Sequence, residues 1–428
     1  MITQRAMRAK FTQMATLVGL TGLIIGQAVS QNHTRSEPDY GPAIRAGASE
    51  LVETGQIPNA ITLIAEDNKI VFRDAQGWQD VSSDIAASEA MLFRHFSSSK
   101  PMTCAAIMTL VDDGLVDIEA PVESYLPAFS DMQVRTSDGL VPAERDITIR
   151  DLMTHTSGIV YGQSPSLVSS DYTEANVNAI ANRIDESLTQ HNQRLAEMPL
   201  VAQPGTEWNY GESMGVLGGV VEAVSGQSFG DYLQSRLFTP LEMTDTGFFA
   251  ADERAGRLSQ LYMRDEEGRS QPVGDNPGFG GDYRKAPALE YGGAGLVGTA
   301  GDAMNFLLML LNGGEFNGKR ILSKESVALM TTDQLDPAFG SAPISFGFPD
   351  PRWENVGFGF CGLVVRPGAE GHLGAAGEYG WSGWAGTDIW IDPEANRAVV
   401  IATQAIPNPA SGLDYPLSTL VRTAIYGD

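Results

Sequence analysis

The sequence predicts an α/β fold of the α+β type: one antiparallel sheet built from the two ends of the chain, flanked by helices, with a mostly helical insert between them. Near the start, β-like runs at residues 60–65 and 70–72 flank Glu66-Asp67-Asn68-Lys69, a hairpin turn. Near the end, runs at residues 387–391 and 398–402 flank Asp392-Pro393-Glu394-Ala395-Asn396, a second hairpin. Between the two pairs, apolar residues recur mainly at helical spacing. Strands at both ends with helices between place the sheet at the junction of the termini.

Composition narrows the class. The chain has 428 residues, 43% of them hydrophobic, enough for a sizeable core. A net charge of −25 describes a solvated acidic surface and argues against nucleic acid or anionic membrane as a partner. Arg5, Arg8 and Lys10 precede an apolar run at 14–25 and the small residues Ala28-Val29-Ser30. This is the order of a secretory signal peptide, which implies export to the periplasm or the medium. The run is short for a membrane span, and no other stretch is long and apolar enough. The two cysteines, Cys104 and Cys361, both sit in apolar stretches and read as inert core thiols, with a disulfide left open in an exported protein. Five scattered histidines, His33, His95, His155, His191 and His372, form no ligand spacing, so neither metal nor cofactor is expected.

After the signal segment (1–30) and a polar linker (31–40), residues 44–54 read as an amphipathic helix before the first hairpin. Residues 149–158 begin as a helix and end in a glycine turn, and 174–198 follow helical spacing. Residues 215–224 and 229–238 read as a helical pair, and 274–281 as a glycine-rich loop. Residues 302–311, 324–330 and 416–426 read as further helices. Residues 41–125 and 290–428 then form a discontinuous α/β domain, 126–289 a helical insert, and the cleft between them is the expected site.

The chemistry centres on Phe96-Ser97-Ser98-Ser99-Lys100-Pro101. An apolar run at 102–111 follows, ending at Asp112-Asp113-Gly114, which reads as one buried helix with a glycine past its end. Pro101 lacks an N–H and belongs in a first turn, placing the helix start near Ser97. Ser97 and Lys100 then share a face, the Ser-x-x-Lys nucleophile arrangement. Burial at the positive end of a helix would lower the lysine pKa and equip it to deprotonate the serine. The plain alternative is an N-cap serine beside a solvated lysine, since Ser-x-x-Lys arises by chance in most chains of this length.

Two further stretches carry candidates. Tyr210, in the turn-rich loop Pro204-Gly205-Thr206-Glu207-Trp208-Asn209-Tyr210, has a phenol able to shuttle protons beside a lysine. The same loop holds Gly211-Glu212-Ser213-Met214-Gly215, a match to the Gly-x-Ser-x-Gly elbow. No apolar strand precedes it, so Ser213 is disfavoured as nucleophile. Trp381-Ser382-Gly383-Trp384 leads into a strand, where small residues permit close backbone approach at a sheet edge.

Together these stretches resemble the serine β-lactamase and penicillin-binding-protein-like superfamily, and most of all its family VIII carboxylesterases. The nucleophile segment Phe93 to Thr103 carries the resemblance. So do Leu152-Met153-Thr154-His155-Thr156-Ser157-Gly158, Tyr210, Gly292-Gly293-Ala294-Gly295-Leu296 and Trp381-Ser382-Gly383, in order and at compatible spacing. The resemblance implies a β-lactamase-like fold, Ser97 as nucleophile and Lys100 and Tyr210 as general base and acid. It also implies an oxyanion hole from the N–H groups of Ser97 and Trp384. Tyr161, Trp208, Glu212, Trp381, Ser382 and Gly383 are the expected substrate-binding residues.

Two departures from the β-lactamase pattern shape the expected substrate. Trp381 replaces the lysine of the third motif, as in the esterases, which favours neutral esters over anionic β-lactams. Glu212 replaces an asparagine of the second motif; pointing inward it would raise the Lys100 pKa and shift the proton-accepting role toward Tyr210. The expectation is a carboxylesterase acting on a small-molecule ester. The alternatives are a β-lactamase or D-amino-acid peptidase, an acyltransferase, or an inactive binding module. Oligomeric state is not readable.

Overall fold

Asp67 and Asn68 both take left-handed backbone, φ 50° and 61°, the conformation that lets a two-residue hairpin match the twist of its strands. Strands Asn59–Glu66 and Lys69–Asp80 therefore fold back on each other, with Leu63 opposite Arg73. On its other edge Asn59–Glu66 pairs antiparallel with Arg397–Ala402, Leu63 opposite Val400, so the two ends of the chain meet in mid-sheet. The computed structural model describes residues 38–340, 344, 355–369, 374–408 and 414–427. The expected signal segment, most of the linker, His33 and His372 lie outside the described residues.

The full sheet has eight strands. Their spatial order is Val356–Phe358, Leu363–Val365, Tyr379–Ser382, Asp388–Asp392, Arg397–Ala402, Asn59–Glu66, Lys69–Asp80 and Ile85–Ala86. Every neighbouring pair is antiparallel. Strand Asn59–Glu66 is buried along almost its whole length because both faces are covered. Ala60 and Ile64 pack with Ile44, Ala48, Leu417 and Val421 of helices Gly41–Glu53 and Pro416–Tyr426. Ile61, Leu63 and Ala65 join the opposite core, with Met102 and Ile107 of helix Lys100–Asp112 and Phe306 of helix Ala300–Leu311. The strand period of two divides the side chains between these layers.

The larger core runs on without a break into residues 126–289, taking in Phe129, Leu217 and Phe238. This region also holds two hairpins, Gln133–Thr136 with Gly139–Pro142 and Tyr262–Arg264 with Ser270–Pro272. The helical spacing of residues 174–198 yields a helix only at Leu188–Ala196, which Ser187 and Gln190 open with a capping box. Upstream, the Asn182 amide donates to the Asn176 carbonyl, the Asn178 side chain accepts from the Ala181 N–H, and Asn176 is left-handed. Short amides satisfy the backbone locally there and outcompete the helix. Among the described residues, no helix is long and apolar enough to cross a membrane.

Cys104 and Cys361 are joined in a disulfide, which corrects the reading of two inert thiols. The bond ties helix Lys100–Asp112 to the turn before strand Leu363–Val365. Thiol titration of the denatured protein without reductant is expected to find no reactive thiol. Cys361→Ala is expected to lower stability by about 2–5 kcal/mol in urea unfolding, the usual worth of a native disulfide. Two reactive thiols in the wild type, or an unchanged midpoint in the variant, would contradict this covalent tie.

Candidate active site

Strand Phe93–Arg94 delivers the chain to the nucleophile segment, where Phe96 turns it with a left-handed φ of 46°. Residues Phe96–Ser99 form a 3₁₀ turn, closed by Ser98 Oγ donating to the His95 carbonyl at 2.8 Å, and the α-helix proper begins at Lys100. Ser97 therefore stands one turn ahead of the helix instead of opening it. The expected shared face survives, because a 3₁₀ turn also stacks residues three apart. Pro101 lies in the first helical turn and Gly114, at φ 71°, follows the end.

Every residue from Lys100 to Leu110 is buried, so the lysine amine has nowhere to go but the serine. Its Nζ lies 3.0 Å from Ser97 Oγ and 2.8 Å from the Gly293 carbonyl, to which it donates. The Tyr210 ring centroid is 4.6 Å from the same nitrogen and that of Tyr161 5.8 Å. Tyr210 is held from three sides. Asn209 N–H donates to the His155 carbonyl at 2.7 Å and Gly205 N–H to the Thr156 carbonyl at 2.8 Å, so the segment 152–158 carries the tyrosine loop. Trp208 stacks on the Tyr210 ring with an interplanar angle of 10°, and Trp381 Nε1 donates to the phenol oxygen at 3.1 Å. The phenol in turn shares a hydrogen bond with Ser97.

Electrostatics separate the two proton carriers. Burial pulls the Lys100 amine down from an ordinary 10.5 to about 7, against a smaller upward pull from Glu212. Burial pushes the Tyr210 phenol up, well above its usual range, despite its bonds to Ser97 and Trp381. His155 is fully buried against Tyr210 and held neutral by burial and by Lys100, so it adds no charge. Glu212 therefore pulls the Lys100 amine upward, as its inward position implies, but less strongly than burial pulls it down. Glu212 does face the cavity, but Oε1 accepts from Ala179 N–H and Oε2 lies 3.8 Å from His191 Nε2, and desolvation of Lys100 outweighs its charge.

A cavity of about 690 Å³ opens over this group. Ser97, Tyr161, Tyr210, Glu212, Trp381, Ser382 and Trp384 all reach its wall. Trp208 and Gly383 do not. Trp208 backs Tyr210, and Gly383 lies so close to the His95 carbonyl that a Cβ there would sit 2.1 Å from its oxygen. That contact brings the turn carrying Trp384 against the nucleophile segment. Among the described residues, neither the Ser97 nor the Trp384 backbone N–H is taken up by a backbone partner. Ser213 is fully buried at the start of helix Ser213–Ser225 and bonds Ser157, out of reach of any substrate.

Several residues at or behind the cavity wall escaped the sequence. The Gly293 carbonyl, Tyr291 bonded to Tyr161 at 3.0 Å, and Tyr415, Ser418, Thr419 and Arg422 around the last helix meet the site only through the fold. The ordered match around Gly292 to Leu296 hinted at the first; nothing local marks the rest.

The fold is that of the β-lactamase-like serine hydrolases, and its cleft holds a serine beside a buried lysine. The Beta-lactamase family model matches residues 44–421, and the chain belongs to that family. Protein Rv1367c of Mycobacterium tuberculosis is 31% identical over 379 residues, covering 85% of this chain and 90% of that one. Esterase EstB of Burkholderia gladioli is 30% identical over 386 residues, covering 87% and 91%. The solved structure of EstCE1, a hydrolase with promiscuous acyltransferase activity, superposes with a TM-score of 0.76 at 26% identity, covering 91% of this chain and 98% of that one.

An amine with a pKa near 7 accepts a proton only above that pH. Labelling of Ser97 by a fluorophosphonate is therefore expected to accelerate with pH up to a plateau, with one limb near 7, and to collapse in Lys100→Met. A limb near 10 would mean that the lysine is not desolvated as described.

Proposed function

We propose that this protein is an exported carboxylesterase of the family VIII type, working through an acyl-enzyme on Ser97. The observation that supports it most is the fully buried Lys100 amine at 3.0 Å from Ser97 Oγ. Neutral Lys100 takes the hydroxyl proton as Ser97 Oγ bonds to the ester carbonyl carbon. The oxyanion is held by the N–H groups of Ser97 and Trp384. The C–O bond to the alcohol breaks as a proton returns to the leaving oxygen, with Tyr210, bonded to Ser97, as its carrier. Water then repeats the sequence on the acyl-enzyme and releases the acid. The disulfide supports export, since such bonds persist in oxidising compartments.

Trp381, whose indole is spent on Tyr210, supports neutral esters over β-lactams or peptide carboxylates. Acyl transfer to an alcohol is the second reading, favoured by a cavity of about 690 Å³ with room for an acceptor and by the activity named for EstCE1.

Hydrolysis of nitrophenyl esters of increasing chain length, beside a chromogenic cephalosporin, tests the proposal. Ester turnover should fall by roughly 10³-fold or more in Ser97→Ala, with slow cephalosporin cleavage by the wild type. Dominant cephalosporin turnover would put a β-lactamase first, and full ester activity in Ser97→Ala would remove Ser97 from the mechanism. An added alcohol that raises nitrophenol release and appears as a new ester would establish transfer.

A further inference from the structure

One arm of the cavity runs from Ser97 past the end of strand Tyr379–Ser382 to the C-terminal helix Pro416–Tyr426, where Glu378, Ser382, Asp388, Ser418, Thr419 and Arg422 form its wall. Arg422 is its one guanidinium among the described residues, and it is already engaged. Its NH1 donates to Glu378 Oε1 at 2.5 Å, its Nε lies 3.6 Å from Asp388 Oδ2, and its plane covers the Trp390 ring at 4.0 Å. Burial works against its charge, but Glu378 and Asp388 outweigh burial and keep it protonated. Glu378 also accepts from the Tyr426 hydroxyl at 2.9 Å.

Two hydroxyls of this arm, those of Ser382 and Ser418, face one way. Ser382 Oγ donates to Asp388 Oδ1 at 3.0 Å and Ser418 Oγ donates to Asp388 Oδ2 at 2.5 Å. A hydroxyl has a single proton, so each can offer a ligand only its lone pairs. With Glu212 the charged groups on the cavity wall are three carboxylates and one paired guanidinium. Burial raises Glu378 to about 7 against the pull of Arg422, so Glu378 takes on its negative charge as the pH rises through neutrality. The whole chain, at −25, adds a field of the same sign.

We infer that this arm is an acceptor-lined, anion-excluding subsite, which selects esters bearing a cationic, ammonium-type substituent over neutral ones and rejects those bearing a carboxylate. The inference rests on the ester-hydrolase reading and names its substrate class. Hydrogen-bond polarity and charge act together: an ammonium N–H finds lone pairs on Ser382 and Ser418 beside Asp388. A carboxylate finds the Ser382 and Ser418 protons already given to Asp388, is left with the Thr419 hydroxyl, and must compete with Glu378 for Arg422.

The test is kcat/KM of the full chain on three shape-matched nitrophenyl esters ending in dimethylammonium, which carries one N–H, isopropyl or carboxylate, repeated with the three groups on the alcohol part. The cationic ester should exceed the anionic one by roughly tenfold or more in one of the two series, and the gap should shrink as salt is raised toward about 1 M. Glu378→Gln, which keeps an acceptor for Arg422 but drops a charge, should narrow the gap at least threefold, about the effect of one partly screened charge. Should that variant fail to fold, the wild-type series and its salt dependence decide alone. Equal rates for the three termini, a preference for carboxylate, or a salt-independent gap would overturn the subsite while leaving ester hydrolysis intact. Failure of the wild type on every ester, neutral ones included, would overturn the esterase reading and this inference with it.

Discussion

The burial of one amine governs this site. Lys100 heads a helix with no exposed face over its first eleven residues, so its nitrogen is desolvated by the same packing that holds the helix in the core. Desolvation disfavours the ammonium, and the Gly293 carbonyl, Ser97 Oγ, the aromatic faces of Tyr210 and Tyr161 and the charge of Glu212 compensate it in part. The result is a basic amine held against a serine. Core packing and the lowered basicity of the lysine are one arrangement here, and a looser helix would return the lysine to its ordinary protonated state.

The remaining elements serve to keep that amine company without recharging it. Segment 152–158 carries the Tyr210 loop through backbone hydrogen bonds and packs a neutral His155 behind the phenol. The turn at Gly383 presses against the His95 carbonyl, which sets the Trp384 N–H beside the nucleophile segment. The disulfide fastens the same helix to the chain entering strand Leu363–Val365, where the Cys361 N–H also donates to the Met153 carbonyl. Three sequence-distant pieces thus converge on the first turn of a single helix, and the mid-sheet meeting of the chain ends provides the platform.

Charge is distributed with the same economy. Glu212 faces the cavity, yet its oxygens turn to the Ala179 N–H and toward His191, so its influence on Lys100 is reduced to a through-space pull. Arg422 is spent on Glu378 and Asp388. The guanidinium on the cavity wall is thus half of an ion cluster, and the nearby Lys100 amine is held by Ser97 and the Gly293 carbonyl. That balance supports an esterase over an enzyme of anionic β-lactams.

The sequence alone determined what depends on neighbours along the chain. The Asp67-Asn68 hairpin, the alternation that splits Ala60 and Ile64 from Ile61 and Leu63, the three-residue spacing of Ser97 and Lys100, and the final helix at Pro416–Tyr426 are all local consequences of residue type and period. Where several short polar side chains competed with the helix, as at Asn176, Asn178 and Asn182, the local pattern misled. Tertiary structure decided what depends on depth and distance. How far Lys100 is desolvated, that Glu212 turns an oxygen to the Ala179 N–H, that Cys104 meets Cys361, and that Arg422 arrives at the cavity already paired are properties of packing. A carboxylate reads the same in a sequence whether it faces an amine or a backbone N–H; only the fold determines which.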